Sequence, residues 1–124
     1  MTSRRKQVVL DFYRLFYNDK RFEEGARLLA PGYRNHHPGA HGIGPEGMVR
    51  DFSSAAQHMP GFHIEPRRLC EEGDLVWVHA LVTGVPGGGR VVTVDIWRFE
   101  GDAIAEHWDV GQRLAAGDEP EAML

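Results

Sequence analysis

Up to Met59, apolar residues recur every three or four positions; from Phe62 onward they alternate with polar ones. The first period is that of one helical face and the second that of a strand with two distinct sides. Val8, Val9, Phe12, Leu15 and Phe16 predict an amphipathic helix from about Ser3 to Tyr17, ended by Asn18-Asp19. Asp19 is placed to cap a second helix carrying Phe22, Ala26, Leu28 and Leu29, which Pro31-Gly32 stops. Tyr33 to His37 reads as a short strand closed by Pro38, and His36 to Gly47 as a loop rich in Gly, Pro and His. Pro45 suits the first turn of a third helix, whose apolar face is Met48, Val49, Phe52, Ala55, Ala56 and Met59. Strands follow near Phe62–Glu71, Leu75–Thr83, Arg90–Glu100 and Ala103–Gln112, separated by turns at Gly73, Pro86 to Gly89, and Gly101-Asp102. The tail after Leu114 is polar and expected to fray.

Helices followed by a meander predict an α+β domain spanning the chain, a curved antiparallel sheet with three helices across its concave face. One face of that sheet is expected to carry Trp77, His79, Leu81, Asp95, Trp97, His107 and Asp109. The other carries Val76, Val78, Val82, Val92, Val94, Ile96, Ile104, Trp108 and Val110. That second face is too apolar to be left in water, so a homodimer through the outer face is expected.

Composition narrows the classes. At 124 residues and 42% hydrophobic the chain is long enough for a real core. A net charge of −4 with interspersed signs excludes a nucleic-acid footprint. One cysteine, no secretory leader pattern and no apolar run near the roughly 18–20 residues of a bilayer span point to a cytoplasmic protein.

The hairpin Val94-Asp95-Ile96-Trp97-Arg98-Phe99 … Ala105-Glu106-His107-Trp108-Asp109 carries the chemistry. Asp95, His107 and Asp109 share a face among aromatic and aliphatic residues. Burying a carboxylate costs several kcal/mol unless it is neutralised or hydrogen-bonded, so residues in such places usually have a task. Tyr13, Trp77, His79 and Trp97 are candidates to line a cavity, with His36 at its rim and His37 beside it. The spacing of His36, His37 and His41 matches no metal motif, so neither metal nor cofactor is expected.

The order of elements, with Tyr33-Arg34-Asn35-His36-His37-Pro38, Val94-Asp95-Ile96-Trp97-Arg98 and Glu106-His107-Trp108-Asp109-Val110, resembles the SnoaL-like polyketide cyclases of the nuclear transport factor two-like superfamily. The resemblance runs from about Val8 to Leu114. It implies a cone-shaped α+β barrel and a cofactor-free intramolecular aldol closure of a small apolar carbonyl compound. It further implies that Asp109 is the acid/base, with burial raising its pKa toward neutrality, and that His107 assists it. The founding cyclases carry a histidine where this chain has Asp95. The fold of ketosteroid isomerase is a second likeness: it would make Tyr13 and Asp95 an oxyanion hole and would put the base near His37. The limonene epoxide hydrolases fit less well, because Thr93 stands two residues before Asp95 and Arg98 is expected on the opposite face. A binding module without catalysis on the same scaffold is the remaining alternative.

Overall fold

The computed structural model describes residues 2–124. The chain runs α1 (Arg4–Phe12), a π-helical turn (Tyr13–Asn18), α2 (Phe22–Ala26), β1 (Leu29–Asn35), α3 (Gly44–Ala56), β2 (His63–Glu72), β3 (Leu75–Thr83), β4 (Val91–Glu100), β5 (Ala103–Arg113) and α4 (Pro120–Met123). The three N-terminal helices and the four-strand meander stand where the hydrophobic pattern places them, and α4 is an additional short helix in the tail. None of the helices is long and apolar enough to cross a membrane.

Ser3 caps α1 by accepting the N–H of Lys6. Val8, Val9 and Phe12 of α1 are buried, and the wide turn that follows buries Tyr13, Leu15, Phe16 and Tyr17. Its width shows in the backbone bond from Asp19 N–H to the carbonyl of Arg14, five residues back, at 2.9 Å. Asp19 does not cap α2; Arg21 takes that position and makes no side-chain bond there.

The five strands lie in the order β1-β5-β4-β3-β2. The meander is antiparallel as expected, but β1 joins the edge parallel to β5, so the sheet is mixed. β1 also begins earlier than expected, at Leu29, because Pro31 and Gly32 do not end the segment. They sit inside an irregular stretch of an edge strand, between the pairs Leu29↔Ile104 and Arg34↔Glu106. An edge tolerates the missing donor of proline.

Register decides which side chains face the helices. Asp95 pairs with Asp109, Trp97 with His107 and Thr93 with Gly111, so the expected inner face of β4 and β5 is present. Val82 pairs with Val91, so the even residues of β3 share a face with the odd residues of β4. Val76, Val78, Ala80 and Val82 therefore point inward and are buried. Trp77 and His79, expected among them, lie on the outer face opposite Ile96 and Val94. The register also shifts between Arg98 and Phe99, which brings Ile104 into the core opposite Phe99 rather than onto the outer face. Gly101, at φ +61, makes the tight β4–β5 turn that a side chain would strain.

Candidate functional site

Asp95 lies at the middle of β4, 4% exposed, and binds partners on two other elements. Its Oδ2 meets the hydroxyl of Tyr13 from the helical layer, and its Oδ1 lies 3.0 Å from Nε2 of His107 on β5. The Trp97 indole N–H donates to the Tyr13 oxygen at 3.1 Å, so the Tyr13 proton is directed at Asp95. His107, 3% exposed, stacks on Trp97 with ring centroids 3.9 Å apart.

The hydrogen-bond network assigns the His107 tautomer. The backbone N–H of His37 can only donate, and it meets Asn35 Oδ1 at 3.0 Å. The same oxygen lies 2.9 Å from His107 Nδ1, which therefore carries a proton. His107 Nε2 and Asp95 then share one further proton. Both nitrogens of His107 are engaged, and the residue works as a fixed strut.

Asp109, next to this group, meets His37 instead. Its two oxygens lie 2.7 and 3.0 Å from Nδ1 of His37, while Nε2 of His37 has no partner among the described residues. Burial alone pushes the Asp109 carboxyl up, but the His37 hydrogen bond and the positive charges of His107 and His37 outweigh it and hold it below its usual range. His37 is raised, chiefly by the hydrogen bond to Asp109. The expectation that burial would raise Asp109 is thus reversed by its partner, which holds the carboxyl low.

These groups stand at one end of a cavity of about 490 Å³ lined by Asn35, His37, Asp95, His107 and Asp109. The remainder of the wall is mostly apolar, with Met48, Phe52, Met59, Phe62 and Ile64 prominent. Pro38, Gly39 and Ala40 form part of the rim, and the N–H groups of His41 and Gly42 donate to Asp51 at 3.0 and 2.7 Å. Asp95, His107 and Asp109 offer donor atoms within 4.8 Å of one another, a spacing that a divalent cation can bridge. Hydrogen bonds with Tyr13, Asn35 and His37 already engage the same side chains.

Of the residues expected at the site, Asp95, His107, Asp109 and His37 come together on the cavity. Tyr13 and Trp97 are not among the lining residues; Tyr13 bonds Asp95, and Trp97 bonds Tyr13. Trp77 and His79 are on the other side of the sheet for the register reason given above, and His79 Nδ1 lies 3.3 Å from Arg68. His36 also faces outward. Since its neighbour His37 turns in, the alternation sends His36 onto Trp108, with centroids 5.2 Å apart, and to Glu106 at 2.7 Å. Glu106 is held low by Arg98 first and His36 second. Asn35 and Tyr17 line the cavity unanticipated. The four-residue step from Tyr13 to Tyr17 along the first helix was the available signal for the latter.

Several solved structures share this architecture. A candidate polyketide cyclase from Acidithiobacillus ferrooxidans superposes with a TM-score of 0.78 at 20% identity, over 90% of each chain. TerC, co-crystallised with polyporic acid, gives 0.77 at 20% identity over 89% of this chain and 92% of its own. An NTF2-like protein of unknown function from Cytophaga hutchinsonii gives 0.73 at 18% identity over 90% and 92%. No curated protein matches the chain. The model of the SnoaL-like domain matches residues 9–107, a span that holds Asn35, His37, Asp95 and His107, and the chain belongs to the SnoaL-like family.

Proposed function

We propose that this protein is an enolising enzyme of the polyketide-cyclase type, in which His37 and Asp109 act together on a small apolar carbonyl compound. The observation that carries this reading is the 2.7 Å contact between His37 Nδ1 and Asp109 at the end of an apolar cavity, with His37 Nε2 unpartnered. Asp109 fixes the ring and balances its charge, and Nε2 removes a proton next to the ligand's carbonyl. The C–H bond breaks, an N–H bond forms, and the electron pair moves onto the carbonyl oxygen. In a ring closure, the enolate carbon then attacks a second carbonyl of the same molecule, and the proton on His37 passes to the new alkoxide. The sequence-based assignment of the base to Asp109 gives way here to His37, with Asp109 as its orienting partner. The similarly folded TerC was co-crystallised with polyporic acid, which supports a small organic ligand here.

Proton exchange at C1 of 2-tetralone in D2O, followed by NMR, tests the chemistry without the natural substrate. The protein should accelerate exchange, and His37→Gln should lower that acceleration by about 10²–10⁴-fold. An inert wild-type protein would return the fold to a binding role; an unimpaired His37→Gln variant would remove His37 from the reaction.

We further propose that two copies pack through the outer sheet face. Trp77 pairs with Ile96, Ile96 with Trp108, and Val94 with Val110, which puts five apolar side chains in one continuous patch. Trp77 is 36% and Val110 68% exposed. A patch of this kind on a sheet marks an interface.

A further inference from the structure

Tyr17 has a hydroxyl with no assigned task. The residue is 7% exposed, lines the cavity, and makes no hydrogen bond among the described residues. Buried phenols ordinarily find a partner. The hydroxyl of Tyr13 is committed to Trp97 and Asp95. Tyr33 Oη and Thr93 Oγ1 also lack partners but are shut away from any accessible space, which Tyr17 Oη is not. The Tyr17 ring is held by Phe12, Tyr13, Phe16, Phe52 and Phe62, with centroids 5.0 to 5.8 Å away. The wide π-helical turn carries Tyr13 and Tyr17 inward together, one onto Asp95 and the other onto the cavity.

We infer that Tyr17 is the donor that receives the ligand's oxygen as negative charge builds on it. A hydroxyl locked in place beforehand needs no reorganisation at the moment of reaction. Burial, then the charges of Tyr33, Asp95 and Asp109, push its pKa well above the usual tyrosine value, so it remains protonated and able to donate. The walls Phe52 and Phe62, with Met48 and Met59, suit a flat aromatic or polyene skeleton, so the ligand class is a fused aromatic or conjugated compound bearing an enol or phenol oxygen. This inference rests on the enolising reading for the nature of that oxygen, and its test needs no turnover.

Binding of 2-naphthol and of naphthalene, measured by fluorescence titration, compares the same ring system with and without the oxygen. The protein should bind the naphthol about tenfold more tightly than the hydrocarbon. Tyr17→Phe should bring the two affinities together by weakening the naphthol alone, with unchanged naphthalene binding showing an intact cavity. Site-specific replacement of Tyr17 by 3-fluorotyrosine, a stronger donor on the same ring, should widen the preference. A wild-type protein without preference for the hydroxyl, a Tyr17→Phe variant that keeps the preference or weakens both ligands equally, or a fluorotyrosine protein with an unchanged ratio would overturn the assignment. If tetralone exchange is absent while the naphthol preference responds to Tyr17 as stated, the donor stands and the base falls.

Discussion

At the scale of single residues, the His37–Asp109 pair sets the pH behaviour. The raised His37 contributes stability that is complete below its ordinary 6.5 and is lost as pH rises through its higher folded value. The lowered Asp109 contributes stability present above its ordinary 3.8 and lost as pH falls through its depressed value. Under the proposed mechanism activity follows the opposite sense for the histidine, because the proposed base is the neutral ring. Tetralone exchange should therefore rise with pH through a midpoint above 6.5. In Asp109→Asn the midpoint should drop back toward 6.5, and the limiting rate should fall about 10²-fold. A midpoint that stays in place would show that Asp109 does not govern the ring. Alternation along one hairpin was enough to bring Asp95, His107 and Asp109 onto one face. The role of His37 was harder to read, since its partner lies 72 residues away and the pairing depends on a parallel strand contact that no local pattern announces.

Among elements, the junction of α3 with the loop before it controls the cavity mouth. A methyl on Gly47 would lie 2.5 Å from the carbonyl carbon of Gly42, and one on Gly42 would lie 2.4 Å from Cα of Gly47. The two backbones touch, and Asp51 on α3 fastens the same loop by its N–H groups. Gly47→Ala should push the loop outward, lowering stability by about 1–3 kcal/mol in thermal or denaturant unfolding. Naphthalene affinity should weaken in parallel, because Pro38, Gly39 and Ala40 belong to the wall. A variant that melts and binds like the wild type would mean that the loop yields without consequence. Periodicity located the meander strands and the start of α3 within a residue, since each is a long run with a clean repeat, while α3 ends at Ala56, before the Met59 its pattern includes. It misjudged the inner face of β3, where face depends on the parity of the cross-strand register, and it began β1 four residues late, because Pro31 and Gly32 read as a stop.

The whole molecule presents two sheet faces with different tasks. The inner one is closed by helices around the cavity, and the outer one carries the patch of Trp77, Val94, Ile96, Trp108 and Val110. Standard interfaces bury about 1,200–2,000 Å² in total, an area that a sheet-to-sheet contact supplies. Light scattering at micromolar concentration should give twice the chain mass, and Ile96→Lys should halve it while leaving naphthalene binding intact. A wild-type monomer under those conditions would mean that the patch serves something other than a second copy.

Asp95 joins Tyr13 of the helical layer to His107 of the sheet, so one carboxylate both orients the polar end of the cavity and ties two layers together. In this chain a change in the chemistry of that residue also loosens the scaffold, because both layers lose a partner at once. The apolar wall of Phe52, Met59, Phe62 and Ile64 makes no side-chain hydrogen bond of that kind. A change of ligand preference in this chain is therefore expected to come there, from exchange of one side chain for another of different bulk, with the polar end left as it is.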